Sequence, residues 1–201
     1  VMGALMPLLV MTGMHWAFVP LSLMNINNPN VGFDTLLLVG MLASNLAQAS
    51  SCLAVFFKSK NKDLKQTAGS SAFSALVAGI TEPALYGITV RLKRPMLGAC
   101  IGAATGGLVG GFFQLKCFGV ATPALVTIPQ YIESTRSESL IYILITAAVT
   151  IGVSFIATYF IGFEDVVDEE VEEIESYIED NFDAEVDIIE GKQPVYSFII
   201  G

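Results

Sequence analysis

Residues 78–95 read A-G-I-T-E-P-A-L-Y-G-I-T-V-R-L-K-R-P. A glutamate followed by a proline lies here in an apolar run, and Glu82 is the one charged residue between Ala72 and Val90. In a soluble protein such a residue is often a surface carboxylate. In a membrane protein it is costly and marks a candidate functional site. Whether the chain is a soluble protein or a membrane protein therefore has to be decided first.

Composition places most of the chain in a membrane. Of its 201 residues 53% are hydrophobic and 14% are charged, whereas a soluble domain carries about 25% charged residues. Residues 1–163 hold nine Lys/Arg and five Asp/Glu, while residues 164–201 hold one lysine and fourteen Asp/Glu. The net charge of −9 therefore belongs to the acidic end. We predict a membrane domain over 1–163 and an acidic domain over 164–201.

Apolar segments separated by loops predict an all-α polytopic membrane protein. The segment 95–114 carries glycines four residues apart, which predict the close approach of another helix. Residues 121–131 contain two prolines and are predicted to be irregular or re-entrant. The predicted spans are 1–24 (broken by glycine and proline), 31–57, 95–114 and 140–163.

Two basic clusters, residues 58–65 and 91–94, flank the quoted stretch. Because basic loops stay on the cytoplasmic side, both clusters should face the cytoplasm. The segment between them then begins and ends on one side, which a re-entrant hairpin can do and a single spanning helix cannot. Gly79 and Pro83 supply the break at its tip. Glu82 is therefore expected at a broken backbone near the middle of the bilayer.

Irregular backbone at that depth is tolerated where it is buried in protein or lines a wet cavity. Glu82, beside backbone amides freed after Thr81, would make a polar site for a hydroxyl-rich solute. The alternative is a structural carboxylate paired with a buried cation. Both interpretations stay open on the residues alone.

The motif G-I-T-E-P (79–83), followed by A-L-Y-G and R-L-K-R-P, resembles the signature of the sugar-transporting IIC component of bacterial phosphoenolpyruvate-dependent phosphotransferase systems. The likeness is to the glucose superfamily, and most of all to its beta-glucoside/sucrose/trehalose branch. The upstream motifs G-M-H-W-A-F-V-P (13–20), N-L-A-Q-A (45–49) and K-S-K-N-K-D-L-K-Q (58–66) fit the same branch in the same order. The resemblance covers about residues 1–165, the C-terminal half of such a domain.

In that family the IIC domain is a homodimeric membrane protein with re-entrant hairpins that binds sugar in an occluded cavity. A cytoplasmic IIB domain with a phosphorylated cysteine donates phosphate to the sugar. The resemblance therefore implies four partners: a sugar, the IIB domain, membrane lipid and a second copy of the chain. The IIB motif is absent, so no cysteine here is given that role, and the chain would be one part of a protein-phosphocysteine–sugar phosphotransferase. We expect no metal, no organic cofactor and no nucleic acid.

By resemblance, Glu82 corresponds to the sugar-binding glutamate and His15 to the histidine that faces the same cavity. Both would act in binding and catalysis, and Thr81 would bind sugar beside them. A lone histidine in apolar sequence is otherwise more often a structural residue. Trp16 would either stack on a sugar ring or belong to an interfacial belt. Weaker candidates for polar lining are Asn25, Asn27, Asn45 and Gln48.

Residues 168–181 have helical spacing, and 185–190 and 194–200 have the pattern of short strands. This predicts a cytoplasmic helix-strand-strand tail, a short acidic α+β unit to which we assign no chemistry. Its end, E-G-K-Q-P-V-Y-S-F-I-I-G (190–201), is similar to the C-terminus of fatty-acid-kinase/dihydroxyacetone-kinase-related proteins.

The chain starts inside an apolar run without a charged leader segment, so we interpret it as a piece of a longer protein. The resemblance implies a multi-pass protein of the bacterial inner membrane. Two other functions stay open: a secondary sugar transporter that uses no phosphodonor, and a sugar sensor that does not transport.

Overall fold

The computed structural model describes residues 2–136 and 138–164. The chain divides into a compact unit, Val1–Asp165, and a second unit, Val166–Gly201. The predicted helix-strand-strand tail lies outside the described residues. The α-helices of the first unit are α1 (Met2–Met11), α2 (Val19–Asn27), α3 (Leu37–Lys58), α4 (Lys62–Val77), α5 (Glu82–Ala84), α6 (Arg94–Phe112) and α7 (Ser139–Ile161). Two 3₁₀ helices (Met14–Phe18 and Ile128–Tyr131) and one π-helical turn (Leu85–Thr89) complete them.

Three helices are long and apolar enough to cross a membrane, namely α3, α6 and α7, with mean hydropathy of 1.4, 1.3 and 2.4. They confirm the spans predicted over 31–57, 95–114 and 140–163. The predicted break in residues 1–24 is also confirmed, since α1 ends before Gly13, whose φ of +72° favours glycine. Within the described residues no strand forms, and the one β-like contact is an isolated bridge between Asp34 and Cys117.

The glycine row of α6 packs against small polar residues of α7. Gly98, Gly102 and Gly106 face Thr158, Ser154 and Thr150 in turn, so the two helices run antiparallel. A Cβ atom at Gly102 would lie only 2.9 Å from the Cα atom of Ser154. The close helix approach predicted from the glycine spacing is thus confirmed.

Side-chain hydrogen bonds tie α3 into the same bundle. The Ser51 hydroxyl lies 3.1 Å from Ser154 Oγ and 2.7 Å from Thr158 Oγ1. Ser154 Oγ in turn donates to the carbonyl oxygen of Ala47. Hydroxyls that bond across helices satisfy polar groups where no water is available, so this contact stabilises the three-helix core.

One end of the bundle gathers basic residues. Lys58 Nζ donates to the carbonyl oxygen of Tyr159 at 2.7 Å, near the end of α7. Arg94, at the start of α6, forms an exposed ion pair with Glu164 at 3.2 Å. The end of α3, the start of α6 and the end of α7 therefore lie together.

At the opposite end of the bundle, Asp34 fixes the start of α3. Its carboxylate accepts hydrogen bonds from the Leu38 amide at 2.8 Å and from the Ser22 hydroxyl at 3.0 Å. Its backbone pairs with Cys117, just beyond α6. A carboxylate at a helix start satisfies amides that have no partner inside the helix, which explains why this acid can be buried.

Between the two basic clusters, residues 58–65 and 91–94, the chain forms two limbs that run in opposite directions. Helix α4 starts at a cap in which Asn61 Oδ1 accepts from the amides of Asp63 and Leu64. After the chain turns at Gly79 (φ +71°), the returning limb lies beside α4, and a Cβ atom at Gly87 would sit 3.6 Å from Thr67 Cγ2. The segment 62–93 is therefore a pair of antiparallel limbs.

The tip of this pair reaches the middle of α3. Asn45 Nδ2 donates to the carbonyl oxygen of Gly79 at 3.3 Å. With a rise of about 1.5 Å per residue, Asn45 lies about 12 Å from Leu37 and about 20 Å from Lys58 along the helix. The tip thus lies well away from both ends of the bundle.

Candidate functional site

The structure brings the four predicted site residues into one cavity of about 170 Å³. His15 and Trp16 come from the 3₁₀ helix after α1, and Thr81 and Glu82 come from the tip between α4 and α5. The remaining lining residues are Val10, Val19, Met41, Asn45, Gly79, Ile80 and Thr122.

The Glu82 wall is built by a broken helix. Gly79 ends the α4 limb, Thr81 is the N-cap of α5, and Glu82 and Pro83 begin the three-residue helix. The Glu82 carboxylate is exposed and makes no hydrogen bond or ion pair with residues 2–136 or 138–164. The alternative of an ion pair with a buried cation therefore has no partner in the described chain.

The tip is packed so closely that no larger side chain fits at Gly79. The amide nitrogen of Asn45 bridges the carbonyl oxygens of Gly79 and Pro123, the latter at 2.8 Å. The Leu125 amide donates to the Leu76 carbonyl oxygen at 3.0 Å, so residues 121–131 pack on the tip. Apart from a short 3₁₀ helix, those residues are irregular, as predicted. A Cβ atom at Gly79 would lie 2.6 Å from Pro123 O.

The His15 wall depends on the end of α1. His15 is 8% exposed, and its Nδ1 lies 3.4 Å from the carbonyl oxygen of Leu9. Because a carbonyl oxygen only accepts, this contact is a hydrogen bond in the tautomer that carries its hydrogen on Nδ1, and in that neutral tautomer Nε2 keeps its lone pair. Trp16 packs beside the imidazole with ring centroids 5.4 Å apart and is 69% exposed.

Of the four amide side chains proposed as further lining, the structure places one in the cavity. Asn45 lines it, whereas Asn25 and Asn27 lie exposed near the end of α2 and do not reach it. Gln48 is buried within α3, where its Oε1 has no hydrogen-bond partner among the described residues, and it does not line the cavity.

Sequence reasoning missed Thr122 as a lining residue. Its tripeptide A-T-P carries no motif, and Thr122 reaches the cavity only because residues 121–131 fold back onto the tip. The apolar wall, including Val10 and Met41, was also not separable from ordinary helix packing. No sequence signal would have identified these residues.

The cysteines are free thiols, with Cys52 and Cys117 buried and Cys100 partly buried. Burial raises the pKa of the Cys117 thiol to about 11. A reactive cysteine has a lowered pKa, so Cys117 has the opposite character. In the part of the chain that the structure describes, no group of three or more His, Cys, Asp or Glu side chains could hold a metal ion.

Comparison with known families agrees with the motifs. Residues 1–103, about half of the chain, match the family "Phosphotransferase system, EIIC", and the chain belongs to this family. Residues 135–201 match the family of FakA-like C-terminal domains of fatty acid kinase. Both resemblances noted in the sequence are confirmed. The second match begins at residue 135. This is before the tail, residues 164–201, in which the sequence alone suggested the resemblance.

Curated relatives carry phosphotransferase-system names. The chain is 41% identical over 170 residues to the arbutin-, cellobiose-, and salicin-specific EIIBC component of Escherichia coli (strain K12), covering 85% of this chain and 35% of the relative. It is 41% identical over 160 residues to the beta-glucoside-specific EIIBCA component of Bacillus subtilis (strain 168), covering 79% and 25%. It is 33% identical over 165 residues to the sucrose-specific EIIBC component of Salmonella typhimurium, covering 81% and 34%.

The chain thus spans about a third or less of the length of these relatives. No solved structure matches the chain significantly.

Proposed function

We propose that the chain is the sugar-binding, translocating part of a phosphotransferase-system permease, which imports a sugar while a cysteine-phosphate IIB domain phosphorylates it. The observation that carries the proposal is the single cavity in which His15, Trp16, Thr81 and Glu82 meet. The names of the relatives favour a beta-glucoside or a disaccharide as the substrate.

The side chains of this cavity suit a sugar. The Glu82 carboxylate accepts hydrogen bonds from neighbouring hydroxyls, and the Thr81 hydroxyl both donates and accepts. The exposed ring of Trp16 offers an apolar surface on which a pyranose ring can stack. The carboxylate is unpaired in the described chain, so it is free to accept from a ligand.

His15 is suited to the transfer step. In that step a sugar hydroxyl oxygen bonds to phosphorus while the phosphorus–sulfur bond to the IIB cysteine breaks. The sulfur leaves as thiolate, and Nε2 of His15 takes the hydroxyl proton. Because phosphoryl transfer depends mainly on positioning and charge stabilisation, a sugar-clamping cavity and a delivered phosphodonor are sufficient.

We also propose that the segment 62–93 is a re-entrant hairpin entering from the cytoplasmic side. Its antiparallel limbs and the position of its tip beside Asn45 support this topology. The basic end of the bundle would face the cytoplasm. Residues 1–163 would then form a multi-pass inner-membrane domain, and residues 164–201 a separate cytoplasmic one.

Lipid and a second copy of the chain are the remaining proposed partners. Large apolar side chains on α6 and α7 are exposed, with Leu108 at 68%, Phe112 at 84% and Phe160 at 81%. Such surfaces suit either lipid tails or another apolar helix. The homodimer itself rests on the family resemblance.

Sugar binding per folded molecule tests the site. The complete gene product would be purified and offered arbutin, cellobiose, salicin and sucrose. Glu82→Gln keeps the side-chain shape but loses the charge, and a charge-assisted hydrogen bond contributes about 1.5–3 kcal/mol, so a roughly 10- to 150-fold loss of affinity is expected. His15→Gln would be measured beside it. Normal affinity in Glu82→Gln would rule out the site.

Uptake into vesicles separates the three functions. A coupled permease accumulates sugar phosphate only when a phosphorylated IIB domain is supplied. A secondary transporter accumulates unmodified sugar without it. A sensor binds sugar and transports none.

A further inference from the structure

A hydrogen bond from a residue outside the cavity joins its two walls. Tyr86 lies in the π-helical turn Leu85–Thr89, four residues after Glu82. Its hydroxyl donates to the carbonyl oxygen of Met11 at 3.0 Å. Tyr86 is not among the lining residues, so its hydroxyl acts on the cavity only through what it holds.

Met11 is the last residue of the helix that positions His15. The last carbonyl groups of a helix have no partner inside it and need one from elsewhere. Here the carbonyl of Leu8 accepts from the Thr12 amide and that of Val10 from the Gly13 amide.

The other two carbonyls of that helix end bind groups from the two walls. The carbonyl of Leu9 lies 3.4 Å from His15 Nδ1 and also accepts from the Thr12 hydroxyl at 3.2 Å. The carbonyl of Met11 accepts from Tyr86. A single helix end thus holds the imidazole on one side and the Glu82 segment on the other.

The hydroxyl of Tyr86 matters more than the burial of its ring. The side chain is 56% exposed, so removing its oxygen opens no cavity in the core. A half-exposed tyrosine that reaches across to a helix end contributes chiefly by fixing a distance. Single π-helical turns are frequent at functional sites, which agrees with a special geometry here.

We propose that Tyr86 is a positioning residue of the sugar site, whose hydroxyl holds the His15 wall and the Glu82 wall at the separation at which both reach one sugar. This inference rests on the proposed function. It assigns Tyr86 no contact with substrate.

The test compares Tyr86→Phe with Tyr159→Phe in the complete gene product. Tyr159 is also partly exposed, and its hydroxyl makes no hydrogen bond with the described residues, so it is a matched control far from the cavity. The probe is whichever of arbutin, cellobiose, salicin and sucrose the parent binds most tightly. We expect Tyr86→Phe to raise the dissociation constant about 3- to 10-fold per folded molecule, as fits one neutral hydrogen bond. Tyr159→Phe should leave the dissociation constant unchanged.

A double-mutant cycle distinguishes positioning from general stability. If Tyr86 acts by spacing His15 from Glu82, the loss caused by Tyr86→Phe should shrink in a His15→Gln background, because the spacing no longer matters there. An unchanged dissociation constant in Tyr86→Phe, or losses that simply add, would overturn the proposal while leaving the sugar site intact. If Glu82→Gln also binds normally, or no probe binds the parent, the proposed function itself fails.

Discussion

Among single residues, Glu82 and Gly79 meet two different demands at the same tip. Glu82 lines the cavity, where the proposed sugar binding would use its carboxylate. Gly79 lies three residues earlier, with φ at +71° and backbone atoms of Pro123 against it, so its lack of a side chain matters. Each demand gives a separate prediction.

Shortening the carboxylate should weaken sugar binding even though the charge is kept. Glu82→Asp withdraws the oxygens by one methylene, and hydrogen bonds to a bound sugar depend on position as much as on charge. We expect a loss similar to that of Glu82→Gln, roughly 10- to 150-fold. Glu164→Asp is the control, because that carboxylate is 87% exposed and remote from the cavity. Equal losses in the two aspartate variants would contradict the assignment.

Adding one methyl group at the tip should destabilise the fold. Gly79→Ala forces a positive φ on alanine and drives its Cβ against Pro123 O, 2.6 Å away. Together these should lower the free energy of unfolding by at least about 2 kcal/mol. Gly87→Ala is the matched control, since its Cβ would meet Thr67 at an ordinary 3.6 Å. Thermal unfolding of both purified variants compares them, and equal melting temperatures would show that the tip is not packed as described.

Between helices, the contact of α6 with α7 depends on glycines at one face only. Gly102→Ala would place a Cβ 2.9 Å from Ser154 Cα, and overpacking of this kind costs about 1–3 kcal/mol. Gly111→Ala, on the same helix, meets nothing within 4 Å. We expect only Gly102→Ala to lower the melting temperature and to weaken cross-linking between cysteines placed on α6 and α7. Alanine favours the helix more than glycine at both positions, so a matching loss in Gly111→Ala would contradict tight packing of Gly102 on Ser154 as the cause.

The elements could be predicted because each has a local cause. Hydropathy marks α3, α6 and α7, and the glycine spacing of α6 predicts a close neighbour. The identity of that neighbour could not be predicted, since Thr150, Ser154 and Thr158 look like ordinary polar residues in an apolar helix. Which helix faces which depends on packing between distant segments, and periodicity within one segment does not report it.

Across the whole molecule, the residues of the candidate site could be predicted only through family motifs. No periodicity or spacing in the sequence relates His15 to Glu82. Only the family motifs predicted that both residues line one cavity. Asn45 and Thr122 join them because the irregular segment 121–131 packs on the tip. A tertiary contact of that kind leaves no local pattern. The hydrogen bond of the Tyr86 hydroxyl could not be predicted for the same reason, since its partner, the Met11 carbonyl, lies far away in the chain.

The arrangement of the bundle ends yields a prediction about sidedness. Single cysteines would be placed in a cysteine-free background at Lys62, Lys93 and Glu164, all exposed near the basic end, and at Asn30 near the opposite end. We expect an impermeant thiol reagent outside the cell to label only the Asn30 position, because basic residues stay on the cytoplasmic side.

Each position reports on a separate part of this topology. Labelling of Lys62 and Lys93 from opposite faces would remove the re-entrant hairpin and with it the mid-membrane position of Glu82. Labelling of Glu164 from outside would contradict the contacts that join Lys58 to Tyr159 and Arg94 to Glu164 at one end. With all three cytoplasmic and Asn30 external, the tip of the hairpin has to lie inside the membrane, since it contacts α3 about 20 Å from Lys58.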